Sequence, residues 1–280
     1  ISKVEGLPSV GSGDEYEWGG QYFMNGPKVH DYLQEMNREV LSKYDIMTVG
    51  ETPDVDIAEA IKYTSDERKE MNMLFSFDMM DIDNGQYGKW DKLPFSMPEF
   101  KKIIIKWQNG LKTEGWNSLF LNNHDQPRLV SRFGDDTKYH AESAKMFATV
   151  MHLLKGTPYI YQGEEIGMTN VRFKNISDYR DIETLNMYSE YSQMGINEDK
   201  IMDMIHMSSR DNSRTPMQWN KAINAGFTDG EPWIKVNTNY PEINVEKSQE
   251  DELSILNYYK KLIRLRKEYP AIVYGDFAEI

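Results

Sequence analysis

Short apolar runs alternate along the chain with longer segments in which apolar residues recur at helical intervals. The short runs predict buried β-strands, and the longer segments predict amphipathic α-helices. Strands are predicted at residues 46–49, 73–77, 119–121 and 158–161. Helices are predicted at residues 27–42, 54–61, 96–111, 141–154 and 253–267. Strand and helix therefore take turns through much of the chain.

This alternation predicts an α/β fold in which parallel strands are joined by crossover helices. A doubly wound sheet and a (β/α)8 barrel both have this pattern, and four strand–helix units make half of such a barrel. Polar residues directly follow the predicted strands: Glu51, Asp78, Asp125, Gln162, Glu164 and Glu165. In barrels the chemistry takes place at this end of the strands, so these residues are candidates for function. Two long connections, residues 1–26 and 169–252, are expected to wall a pocket.

Composition narrows the class of ligand. The 280 residues are 39% hydrophobic and 12% aromatic, which is enough apolar material for one large globular domain or a domain with additions. A formal net charge of −13 argues against a nucleic-acid partner and favours a neutral ligand. The absence of cysteine excludes disulfides and thiolate metal sites and favours a reducing, cytoplasmic setting. No apolar run reaches the roughly 18 residues that a membrane span needs.

Four motifs, in order along the chain, carry a family resemblance. Residues 49–52 read Val-Gly-Glu-Thr and residues 122–128 read Asn-Asn-His-Asp-Gln-Pro-Arg. Two longer motifs follow at residues 156–168 and 209–219. Together they resemble the α-amylase superfamily of glycoside hydrolases (family 13). They are similar in particular to its oligo-1,6-glucosidase branch, which includes trehalose-6-phosphate hydrolases, dextran glucosidases and sucrose isomerases.

The resemblance implies a retaining mechanism. In that mechanism one carboxylate attacks the anomeric carbon while a carboxylic acid roughly 5 Å away protonates the departing oxygen. Glu51 matches the family's acid/base, although a strand-end glutamate could also simply cap the next helix. Asp125 matches the aspartate that holds sugar hydroxyls and stabilises the oxocarbenium-like transition state.

The resemblance also implies substrate-binding residues. His124 would donate to a hydroxyl of the same sugar ring, or could be an ordinary structural histidine. Arg210 would reach the nonreducing end of the bound glucose, while Arg214 would brace its loop. Arg128 would line the aglycone side, with a surface salt bridge as the alternative. Neither a cofactor nor a metal ion is implied.

By the same resemblance, residues 1–270 would form the second half of the catalytic barrel, strands 5 to 8, with residues 169–252 as a long loop or subdomain insertion. Residues 271–280 would begin a C-terminal β-domain, with a strand at 271–277. The family's nucleophile would lie upstream of residue 1, so the isolated chain is expected to be inactive. Exposed sheet edges would then favour self-association or a complementary N-terminal fragment as partner.

The function that the resemblance implies is hydrolysis of terminal α-1,6-glucosidic bonds of isomalto-oligosaccharides by a cytoplasmic bacterial enzyme. The other activities of the same branch remain alternatives. A noncatalytic relative, such as the glucosidase-like ectodomain of transporter heavy chains, is a further one. Such relatives generally lack the catalytic carboxylates, whereas this chain has Glu51, His124, Asp125 and Arg210.

Overall fold

The computed structural model describes residues 20–86 and 88–278. The chain divides into two compact units. The first comprises Ile1–Phe77 and Gly110–Asn117, and the second comprises Asp78–Asn109 and Ser118–Ile280. Both units mix helices with short parallel strands, as the sequence predicts.

The first unit contains a parallel β–α–β element. Its elements are α1 (Val29–Glu39), β1 (Val49–Thr52), α2 (Ile57–Thr64) and β2 (Met73–Ser76), with single 3-10 turns at Gly20–Tyr22 and Leu41–Lys43. Strands β1 and β2 pair in parallel, with Val49 opposite Met73 and Glu51 opposite Phe75. The strand predicted at 73–77 is confirmed at Met73–Ser76, and its partner lies at Val49–Thr52, with α2 as the connection between them.

The apolar face predicted for α1 stays exposed within the described part of the chain. No residue of this helix is buried there, and Tyr32 is 63% exposed. Residues Ile46 and Met47 are also exposed, at 51% and 59%. The prediction of a buried strand at 46–49 is wrong at its start. The ladder begins only at Val49, because the N–H of Thr48 donates to the side chain of Asn72.

The second unit is larger and mostly helical. Its strands are β3 (Asn84–Gly85), β4 (Gly88–Lys92), β5 (Ser118–Leu119) and β6 (Thr157–Pro158). Its longer helices are α3 (Met97–Gly110), α5 (His140–Leu153), α6 (Ile182–Gln193), α7 (Glu198–Ser208) and α10 (Ile255–Glu268). Its shorter helices are α4 (Leu129–Phe133), α8 (Asp211–Arg214), α9 (Val245–Glu250) and α11 (Pro270–Tyr274). Strands β5 and β6 pair in parallel, while β3 and β4 form an antiparallel hairpin that the sequence pattern did not predict.

The connection predicted at residues 169–252 contains helices α6 to α9, and a cluster of buried residues lies within it. Helices α6 and α7 pack together through Met187, Ile201 and Ile205, all buried. A separate core joins α5 to α10 through Ala148 and Tyr259. The connection is therefore packed structure that can hold side chains in fixed positions.

The strand predicted at residues 271–277 is wrong. Pro270 opens helix α11 instead, which ends before Gly275. Proline fits the first turn of a helix, because its fixed φ suits the helix and its missing N–H is not needed there. No helix among the described residues is long and apolar enough to cross a membrane.

Candidate active site

Glu51 lies at the C-terminal end of β1, in the first unit, with its side chain exposed. The cap of the following helix α2 is Asp56, whose Oδ1 accepts the N–H of Glu59 at 2.8 Å. The alternative interpretation of Glu51 as that cap is therefore wrong. The next residue, Thr52, donates through its hydroxyl to the carbonyl of Phe75 at 3.2 Å and ties the strand end to β2.

His124 and Asp125 lie in the loop after β5, in the second unit. The loop is turned by Asn123, whose side-chain oxygen accepts the N–H of Asp125 at 2.8 Å. Both functional side chains remain accessible, 65% exposed for His124 and 38% for Asp125. The His124 Nε2 lies 3.4 Å from Oδ2 of Asp125, so the two groups can address the same ligand.

Two arginines converge on the other oxygen of Asp125. Arg214 Nη2 lies 2.5 Å from Oδ1 of Asp125, and its Nε donates to the carbonyl of His124 at 2.9 Å. Arg210 Nη1 lies 3.5 Å from the same Oδ1. The motif singled out Arg210 as a site residue and gave Arg214 only a bracing role. In the structure both arginines contact Asp125, and Arg214 braces the loop as well.

Acidic side chains stand behind the arginine pair. Arg210 donates to Oδ1 of Asp181 from Nη2 at 2.6 Å and from Nε at 3.0 Å. The hydrogen bond to Asp181 raises the pKa of Arg210 above its ordinary value. Burial acts to raise the pKa of Asp181, but the hydrogen bonds from Arg210 and Thr184 outweigh it and lower that pKa. The sequence pattern did not single out Asp181, since only folding brings it to Arg210.

Arg128 lies in the interior. The prediction that it lines the aglycone side and the alternative of a surface salt bridge are therefore both wrong. The residue is 1% exposed. Its guanidinium donates to the carbonyls of Gln162, Asn212 and Ser213 and to the hydroxyl of Thr215. Burial lowers its pKa to about 10. Arg128 ties the loop of Asp125 to the segment that carries the arginine pair.

Asp78 and Glu164, two of the other polar residues after strands, have structural contacts. Asp78 accepts hydrogen bonds from Lys106 and Trp107 of α3. Glu164 is buried and accepts the hydroxyl hydrogen of Tyr259 at 2.5 Å. Across residues 20–86 and 88–278, no group of three or more His, Asp and Glu side chains is placed to hold a metal ion.

Comparison with known proteins agrees with these motifs. The α-amylase catalytic-domain family matches residues 1–275, and the chain belongs to this family. It is 61% identical over 280 residues to the oligo-1,6-glucosidase of Parageobacillus thermoglucosidasius, covering 99% of this chain and 50% of that protein. The chain thus spans about half the length of such relatives.

Two solved structures are also similar. The trehalose-6-phosphate hydrolase of Bacillus licheniformis is 52% identical with a TM-score of 0.89, covering 94% of this chain and 48% of that one. The isomaltulose synthase of Klebsiella sp. LX3 is 42% identical with a TM-score of 0.89, covering 100% of this chain and 50% of that one.

Proposed function

We propose that this chain carries the acid/base half of a retaining α-glucosidase, within the second half of a (β/α)8 barrel. The observation that carries the proposal is the group around Asp125, a half-exposed carboxylate held at one oxygen by Arg210 and Arg214. Its other oxygen faces His124. This arrangement fits a carboxylate that accepts sugar hydroxyls and stabilises positive charge developing at the anomeric carbon.

Glu51 supplies the proton in this proposal. It protonates the glycosidic oxygen as the bond to the anomeric carbon breaks, and later takes a proton from the water that releases the sugar. The exposed carboxylate of Glu51 at the end of β1 suits this role, because it must reach a substrate. The family mechanism also needs a nucleophilic carboxylate, which we do not assign to any residue of this chain.

The proposed substrates are isomalto-oligosaccharides with terminal α-1,6 links. The support is the 61% identity to the oligo-1,6-glucosidase of P. thermoglucosidasius. Trehalose-6-phosphate hydrolysis is the second candidate, favoured by the 52% identity to the B. licheniformis enzyme. Sucrose isomerisation is supported more weakly, at 42% identity to the Klebsiella enzyme.

A chimera tests this proposal. The 280 residues replace the matching half of the P. thermoglucosidasius enzyme, whose other half completes the protein. We expect the chimera to hydrolyse isomaltose and to release glucose first as the α-anomer. If the chimera turned over trehalose-6-phosphate faster than isomaltose, trehalose-6-phosphate would replace isomalto-oligosaccharides as the proposed substrate. A folded chimera that hydrolyses neither, nor an aryl α-glucoside, would contradict the proposal.

A further inference from the structure

We infer that Asp181 is a positioning residue, which fixes Arg210 and Arg214 on Asp125 and so keeps one side of Asp125 open to substrate. The inference rests on the proposed function, because it assigns a role within the same site. Asp181 belongs to none of the four sequence motifs.

Asp181 is the buried end of a charged group that also contains Arg210, Arg214, Asp125 and Glu183, whose Oε2 lies 3.3 Å from Arg210 Nε. Its side chain is 1% exposed, whereas that of Asp125 is 38% exposed. Arg210 binds both carboxylates, at 2.6 Å from Asp181 and 3.5 Å from Asp125. Arg214 does the same, at 3.5 Å and 2.5 Å. Each arginine therefore bridges a buried carboxylate to an accessible one, and a ligand can reach only the accessible one.

The two oxygens of Asp181 have separate tasks. Oδ1 accepts from Arg210 and lies near Arg214. Oδ2 caps helix α6, accepting the N–H of Thr184 at 3.2 Å and its hydroxyl at 3.0 Å. The cap fixes the carboxylate in place, since both of its donors belong to the first turn of a helix. Asp181 thus fixes the two arginines to a rigid helix rather than to a flexible loop.

The position of Asp181 explains why this anchor matters. Asp125 and Glu183 are accessible carboxylates near the arginines, and Asp181 is the carboxylate that contacts both guanidinium groups from the buried side. Without the charge of Asp181, Arg210 loses its two closest hydrogen bonds, at 2.6 and 3.0 Å. Its guanidinium then keeps only the longer contacts with Glu183, at 3.3 Å, and with Asp125, at 3.5 Å. We infer that it is then free to cover the oxygen of Asp125 that the substrate needs. Two hydrogen bonds from Nε and Nη2 to the same Oδ1 of Asp181 hold the guanidinium of Arg210 in one orientation more strictly than a single contact does.

The test is Asp181→Asn in the chimera. Asparagine keeps the size of the side chain and remains a good helix cap, so the change removes the charge but not the cap. We expect kcat/KM for isomaltose to fall at least about 10-fold, mostly in kcat, because Asp125 acts in the transition state. Thermal unfolding should change little. A second variant, Asp181→Ser, keeps a capping group that is too short to reach the arginines, and should show the same kinetic loss.

Asp83→Asn provides the matched control. Asp83 is a buried carboxylate that is paired with Arg132 at 2.6 Å and Lys92 at 2.8 Å, not with the arginines at Asp125. If removing any buried charge damaged the site, both variants would lose kcat alike, and this result would overturn the inference. Unchanged kinetics in both Asp181 variants would overturn it as well.

An inactive wild-type chimera would contradict the proposed function, and the inference would then be decided by structure. Crystals of the Asp181→Asn and wild-type proteins should differ in the placement of the Arg210 guanidinium against Asp125. An unchanged guanidinium would overturn the inference without reference to turnover.

Discussion

At the scale of single residues, burial separates the carboxylates that can meet a ligand from those that hold the fold. Asp125 and Glu51 are accessible, while Asp181 and Glu164 are buried. The motif at residues 156–168 contains two consecutive glutamates, Glu164 and Glu165, and Glu164 is buried. This difference has a measurable consequence for stability.

Glu164 makes the stability of the fold depend on pH. Burial raises its pKa from 4.5 to about 7. The unfolded chain therefore ionises this group at lower pH than the folded chain does, so the folded state loses stability as pH rises from 4.5 to about 7. We expect Glu164→Gln to remove this loss. The gain in Tm over the wild type should be larger at about pH 8 than at about pH 5. The corresponding gain in unfolding free energy should differ between the two pH values by up to roughly 3 kcal/mol.

The control for this prediction is Glu67→Gln, at an exposed glutamate. Its Tm difference from the wild type should not vary with pH. Thermal unfolding followed by circular dichroism measures both variants. A Tm difference for Glu164→Gln that is the same at both pH values would show that the buried carboxyl does not resist ionisation.

At the scale of secondary-structure elements, the pattern of apolar and polar residues predicts many of the helices and strands. The elements that it predicts wrongly have physical causes. The helix predicted from Asp54 begins two residues later, at the Asp56 cap, because Asp54 adopts a left-handed φ of 55° and belongs to the turn. Residues 271–277 carry Ile, Val and Tyr, which favour strands, but Pro270 opens a helix there. Helices α6 and α7 were missed although their caps, Asp181 and Asn197, are visible in the sequence.

The sequence predicted residues of the site only where these residues lie in the four motifs. His124, Asp125 and Arg210 are found from the family resemblance. The contacts of Arg214 with Asp125 and of Asp181 with Arg210 join segments far apart in the chain, which no local pattern encodes. Arg128 shows the opposite case. It lies in a motif, yet the fold uses it internally, and its exposure could be learned only from packing.

Arg128 should behave as a structural residue. Arg128→Lys keeps the charge but cannot reproduce the donation to three carbonyls in two separate segments. We expect a loss of about 2 to 4 kcal/mol in unfolding free energy. Chemical denaturation measures it, with the exposed Arg38→Lys as a control that should stay within about 0.5 kcal/mol. A raised KM with unchanged stability would return Arg128 to the aglycone side.

At the scale of the whole molecule, apolar surface remains uncovered in the first unit. Phe23 is 71% exposed, and Tyr32 and Met47 are 63% and 59% exposed. Exposed apolar side chains of this size mark interfaces when they form one patch, so these residues are candidates for an association surface.

We therefore expect the isolated 280-residue chain to self-associate at micromolar concentration, whereas the chimera, which supplies the other half of a relative, stays monodisperse. Sedimentation velocity on both proteins measures this difference. Tyr32→Lys in the isolated chain, which places a charge on the exposed face of α1, should reduce the association. A compact monomer of the isolated chain that melts cooperatively would contradict the expectation.

The role of Glu51 as the acid is tested most directly by the effect of Glu51→Gln on two substrates in the chimera. Glutamine keeps the shape of the side chain but has no proton to transfer. For isomaltose, whose leaving group needs protonation, kcat should fall at least about 10²-fold. For an aryl α-glucoside with a good leaving group, the step that cleaves the glycosidic bond should suffer much less. Glu67→Gln should leave both rates unchanged. If Glu51→Gln loses little activity on either substrate, Glu51 is not the acid and the account is contradicted.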